Sequence, residues 1–139
     1  MKAFREDLTT YLKSRAEITS HIGTGVNARM FPMIAPPGTD TPYIVVTQIS
    51  SNPDYHHSGR SDWNTEAYQF DCVAGNPDEV TTLSDAIESV LEAAVGTSIG
   101  DNSSNLHSVA LNDVSEDFAN TGQTYRRMVD LTFNYTLSA

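Results

Sequence analysis

The sequence predicts an α+β fold, a mostly antiparallel four-stranded sheet with two helices packed on one face. Two segments carry apolar residues at the helical period. Four others alternate apolar and polar residues or concentrate β-branched and aromatic ones. Their order is helix, strand, strand, helix, strand, strand, and stacking both helices on one sheet face is the simplest way to bury both stripes.

The first helix is expected over residues 3–15, where Phe4, Leu8, Tyr11 and Leu12 fall on one side of the 3.6 period. Ile18 and Ile22 extend that apolar contact through a short turn, which Gly23 and Gly25 end. Arg29-Met30-Phe31 reads as a short strand stopped by Pro32, and the Pro-rich residues 32–42 read as a loop. Tyr43 to Ile49 is a strand of β-branched and aromatic residues. The polar stretch Ser50 to Asn64 is expected to be a long loop. Thr65 to Ala74 returns to strand, with Tyr68, Phe70, Cys72 and Ala74 on one face and Ala67, Gln69, Asp71 and Val73 on the other.

The second helix has the clearest boundaries. Asn76 suits the cap, Pro77 the first turn, and Glu79 stands three residues after the cap. Val80, Leu83, Ile87, Val90, Leu91 and Ala94 form its buried stripe, and Gly96 is the stop. Leu106 to Leu111 predicts a third strand that can continue to Phe118, and Asn120-Thr121-Gly122-Gln123 a turn. From Tyr125 to Leu137 the alternation is nearly faultless, as in an antiparallel strand with one wet face.

A chain of 139 residues predicts one domain with one core, spanning 1–139. With 18 Asp+Glu against 8 Lys+Arg and a formal net charge of -10, it lacks the cations that non-specific nucleic-acid binding draws on. No apolar run approaches the ~18 residues that a membrane span needs. The start, Met1-Lys2-Ala3-Phe4-Arg5-Glu6-Asp7, puts acids where a signal peptide's apolar stretch begins, so synthesis in the cytoplasm is expected. The lone cysteine, Cys72, excludes an internal disulfide framework and a multi-Cys zinc site.

Residues able to do chemistry are few. Asp54, His56, His57 and Asp62 could ligate a metal, but their spacing matches no known motif and a solvated loop accounts for them. His57, Ser58 and Asp62 lack the strand–elbow–helix that a catalytic serine needs. Gly23-Thr24-Gly25 lacks the lysine of a phosphate loop, His21 and His107 stand alone, and Cys72 is expected to be a buried thiol. The reading assigns no catalytic residue, no cofactor and no metal. What stands out is a set of contact-type residues in the 50–64 stretch: Tyr55, His56, His57, Arg60 and Trp63. These are the candidate partner or oligomer contacts.

The order of segments resembles the phage tail-completion, or tail-terminator, proteins that join head and tail. The N-terminal helix, Ile18…Ile22-Gly23 and Ala28-Arg29-Met30-Phe31-Pro32 look like that family's opening. Thr41-Pro42-Tyr43-Ile44-Val45-Val46 is similar to its first long strand, Tyr68-Gln69-Phe70-Asp71-Cys72-Val73-Ala74 to its second, and Arg126-Arg127-Met128-Val129-Asp130-Leu131-Thr132-Phe133 to its closing strand. The resemblance spans nearly the whole chain, and its pieces are structural patterns, not catalytic signatures. The 50–64 stretch corresponds least.

The resemblance implies a structural virion protein at the head-proximal end of the tail. It implies a homo-oligomeric ring, six-fold in the family's general form, that caps the tail tube protein on one face and binds a head-completion or connector protein on the other. Phage DNA would pass through without specific binding, and no membrane is involved. Two other readings stay open at this point: another neck or connector component, and a cytosolic enzyme or metal-binding module.

Overall fold

The computed structural model describes residues 2–56, 59–119 and 124–137. Its elements are α1 (Lys2–Lys13), α2 (Ala16–Ile22), β1 (Met30–Pro32), β2 (Tyr43–His56), β3 (Gly59–Ala74), α3 (Pro77–Ala93), β4 (Ser98–Ile99), β5 (Ser104–Ala119) and β6 (Thr124–Leu137), with a 3-10 turn at Gly25–Asn27. One curled sheet holds six strands in the order β1-β2-β3-β6-β5-β4. Every pairing is antiparallel except β1 with β2, which is parallel.

This corrects the expected four-stranded, mostly antiparallel sheet with two helices: among the described residues the sheet is six-stranded and mixed, and there are three α-helices. Each difference has a local cause. Beyond Ser14 the chain breaks helical geometry at Arg15 (φ -100, ψ 126), so Ile18 and Ile22 belong to a separate helix. The short strand expected at Arg29–Phe31 forms as β1 and joins the sheet beside β2, which its sequence does not announce, and β4, at two residues, is too short for a period-2 pattern to register. Of the expected Ser50–Asn64 loop, the described residues 50–56 and 59–64 are strand. β2 and β3 continue as a paired hairpin, with Asn52 opposite Thr65, Pro53 opposite Asn64, Tyr55 opposite Arg60 and His56 opposite Gly59. Ser, Asn, Gly and Pro have low strand propensity, but the ladder begun at Tyr43 and Val73 carries pairing through them. The turn expected at 120–123 lies outside the described residues.

The helices lie against the sheet face formed by Ile44, Val46, Tyr68, Phe70, Cys72, Val129, Leu131, Phe133 and Tyr135, all buried in one cluster with Phe4, Leu8, Leu83, Ile87 and Leu91. Phe4 stacks flat on Tyr135 with ring centroids 3.8 Å apart and meets Phe133 edge-on at 5.5 Å. The α3 cap forms as expected, Asn76 accepting from the Glu79 amide at 2.7 Å.

Two buried carboxylates fasten this core. Glu66 accepts hydrogen bonds from the hydroxyls of Tyr68 and Tyr135. Asp7, on α1, accepts from the Asn102 amide and side chain through Oδ1 and from the Ser104 amide and hydroxyl through Oδ2. It thereby ties α1 to the β4–β5 turn. Gly100 in that turn has φ +72, and a Cβ there would lie 2.2 Å from Asp7 Oδ1, so the contact requires glycine.

Candidate functional site

Helices cover one face of the sheet and leave the other to be finished by its own side chains. That second face is built from the alternate residues of each strand: Thr65, Gln69 and Asp71 on β3, Arg126, Met128, Asp130, Thr132, Asn134 and Thr136 on β6, and Ser108, Asp113, Ser115 and Asp117 on β5. Side chains bridge the strands across it. Thr65 donates to Asn134 Oδ1 at 2.6 Å, and Asn134 donates to Ser108 Oγ at 2.6 Å. Asn112 donates to the Thr132 hydroxyl.

At one end of this face the acids gather. Asp130 stands directly opposite Asp113, and Asp117 directly opposite Arg126. Arg126 Nε also lies 3.3 Å from Asp71 Oδ1. Burial pushes the Asp71 carboxyl up to about 6, with Asp117 pushing the same way and Arg126 opposing. Asp130 is also raised, first by burial and then by Asp113. Like charges directly opposite are unfavourable in a sheet, which adds to burial in disfavouring the ionised form of Asp130.

At the other end sits Trp63, paired with Thr136 and 40% exposed. Its indole stacks on the His107 ring with centroids 4.7 Å apart and planes 14° from parallel, and His107 Nε2 lies 2.9 Å from Thr136 Oγ1. The structure thus joins Trp63 to a histidine that looks isolated in the sequence. His107 lies at a register shift between Leu106 and Ser108, which re-aims its side chain; no sequence signal marks such a bulge. Of the other expected contacts, Tyr55, His56 and Arg60 lie on the same β2–β3 hairpin as Trp63. Their side chains, and all of His57, lie outside the described residues, as do the side chains of Asp54 and Asp62.

Sequence reasoning missed the exposed apolar residues at the sheet's margins. Met33 and Ile34, after β1, are 70% and 78% exposed, and Ile49, Leu111 and Phe118 are about half exposed on β2 and β5. Each looks like a core residue by type, but Met33 and Ile34 follow the end of β1, and Leu111 and Phe118 keep about half their surface although they stand opposite Leu131 and Tyr125. Catalytic features are scarce: Cys72 is fully buried with its thiol pushed up by desolvation, the reverse of an activated nucleophile. Among the described residues no group of three or more His, Cys, Asp or Glu side chains could hold a metal. No helix is long and apolar enough to cross a membrane. The described surface thus offers an acidic sheet face, a half-exposed tryptophan and apolar strand edges, the materials of protein contact.

Comparison with known proteins fits that description. The family model for the tail completion protein gp17 matches residues 6–136. No curated protein matches the chain. A chain from the virion of a native gene transfer agent particle has a TM-score of 0.68 at 12% identity, over 97% of this chain and 96% of its own. A second solved structure has a TM-score of 0.52 at 10% identity, over 99% of this chain and 94% of that one.

Proposed function

From the premise that this chain belongs to the family of the tail completion protein gp17, and is thus a structural virion protein of the phage tail, we propose that it closes the head-proximal end of the tail tube. It does so as a homo-oligomeric ring, six-fold in our reading. One face of the ring matches the tube protein and the other receives a head-completion or connector protein. The family match over residues 6–136 carries this reading. The shared fold of a chain from a gene transfer agent virion supports it.

The physics of the chain suits the task. A head-to-tail contact closes into a ring when its rotation divides the circle, and the ring presents each contact surface in several copies to its axial partners. Weak contacts repeated around a ring gain from effective concentration once the first engage. The β2–β3 hairpin, with Tyr55, His56, His57, Arg60 and Trp63, is the surface we assign to a neighbouring subunit or the tube. With 18 acids against 8 bases the chain gives DNA little to bind, so the genome passes without specific contact. The role requires no catalysis, cofactor or metal.

The test is a phage lacking the gene. Electron micrographs of its lysate should show filled heads beside unjoined tails, or tails of uncontrolled length. Normal, joined virions in that lysate would overturn the proposal.

A further inference from the structure

Most of the described cations have partners. Arg15 pairs with Glu17, Arg126 with Asp71 and Arg127 with Glu116, and Arg29 donates to the Pro42 and His21 carbonyls. Among the described residues Arg5 and Lys13 have no ion-pair partner. In a chain of net charge -10 that stands out. Both line one groove, a cavity of about 420 Å³ between α1 and the edge strand β1, together with Glu6, Thr9, Met30 and Pro32.

The groove is not built to take another strand. The Met33 amide donates to the Val46 carbonyl on β2, so the alternate positions, Met30 and Pro32, face away from β2. The Met30 amide already donates to the Ala28 carbonyl, and Pro32 has no N–H. An occupant is therefore held by side chains. The groove calls for acids spaced along one face, with an apolar residue to meet Met33 and Ile34, which follow Pro32 and are 70% and 78% exposed.

The outer side of α3 has that chemistry. Asp85, Glu88 and Glu92 fall at i, i+3 and i+7, away from the buried Leu83, Ile87 and Leu91, and Val95 beyond them is 40% exposed. α3 contains no Lys, Arg or His, and none of the three acids has an ion-pair partner among the described residues. Acids three and four apart on a helix repel one another. Glu92, in the last turn, also opposes the helix dipole. A cation brought to this face relieves both.

We infer that the α1 groove receives the outer face of α3 from a second copy of this chain, with Arg5 and Lys13 against that copy's Asp85, Glu88 and Glu92. The inference rests on the ring reading and names the contact that would build the ring. The spans agree: Arg5 and Lys13 are eight residues apart, about 12 Å of helix, and Asp85 and Glu92 seven, about 10.5 Å. Thr9 and Ser89 stand near the middle of the two stripes. Exposed ion pairs are weak singly. The contact therefore draws also on the apolar surface of Met33, Ile34 and Val95, and on repetition around the ring. The groove and the α3 face are different surfaces, so the contact is head-to-tail and able to close.

Charge reversal tests this. Arg5→Glu/Lys13→Glu should still melt cooperatively, since both side chains reach solvent, and should leave tails without rings. Asp85→Lys/Glu92→Lys should do the same. All four changes in one chain should restore the rings, because each groove again meets an α3 face of opposite charge. In a Thr9→Cys/Ser89→Cys chain, oxidised tails should yield a ladder of disulfide-linked multimers on a non-reducing gel, Cys72 being buried. The gel reads the contact even where a reversed chain fails to fold. Normal rings from Arg5→Glu/Lys13→Glu, or only monomers on the gel, would overturn the assignment and leave the ring reading standing. Rings lost on reversal and not restored in a folded chain with all four changes would overturn the second copy as occupant and give the groove to a different acidic protein. Wild-type tails that carry no ring would overturn the ring reading itself.

Discussion

Ile87→Asp should abolish folding. Ile87 is fully buried on α3, in the cluster with Leu83, Leu91, Phe70 and Phe133. The substitution removes an apolar side chain, whose loss alone costs about 2–5 kcal/mol by comparison with truncation to alanine. It also places a carboxylate with no cation among apolar groups, which costs several kcal/mol more. A domain of this size has about 5–15 kcal/mol of stability in all. Circular dichroism should show no cooperative melt, whereas Ile87→Val should melt cooperatively with a loss of about 1 kcal/mol. An Ile87→Asp chain with an unchanged melting temperature would mean that α3 does not bury this face.

Asp7→Ala is the second large effect, and it arises from a polar contact. Four hydrogen bonds converge on the Asp7 carboxylate, two of them from the backbone amides of Asn102 and Ser104. Bonds to a charged group contribute about 1.5–3 kcal/mol each, though those sharing one carboxylate do not add fully. Truncation also strands the amide of Ser104, a residue with no exposed surface. We expect a loss of about 3–5 kcal/mol, read from chemical denaturation. Asp7→Asn should fall between, because its amide NH2 would meet the Ser104 N–H with a donor. If Asp7→Ala cost less than 1 kcal/mol, α1 would not depend on the β4–β5 turn for its place.

These two positions also mark what the sequence discloses. Ile87 is legible because α3 announces itself: Asn76, Pro77 and Glu79 fix its start, and the stripe from Val80 to Leu91 repeats at the helical period. Tyr68, Phe70 and Cys72 are legible as one face of β3, and all are buried. Asp7 is not. It sits among charged residues on an amphipathic helix, and its partners are nearly a hundred residues away, so nothing local separates it from Glu6. Glu66 and Asn64 hide in the same way, as polar residues facing inward on a strand.

The β2–β3 hairpin shows the opposite failure. Composition from Ser50 to Asn64 favours a loop, but pairing with a neighbouring strand decides the conformation, and a single chain read in sequence does not show its neighbours. The surroundings of the candidate contacts are hidden in the sequence for the same reason. Trp63 is identifiable as a residue needing a surface, but its companion His107 is placed by a bulge in β5.

The central claim is that this chain is the ring that ends the tail tube where the head attaches. The most direct measurement is a reconstruction of that end from images of purified tails, with this chain located in the density. A single ring of copies between the last tube layer and the head-side face is the expected result. Copies distributed along the tube, or confined to the opposite end of the tail, would contradict it.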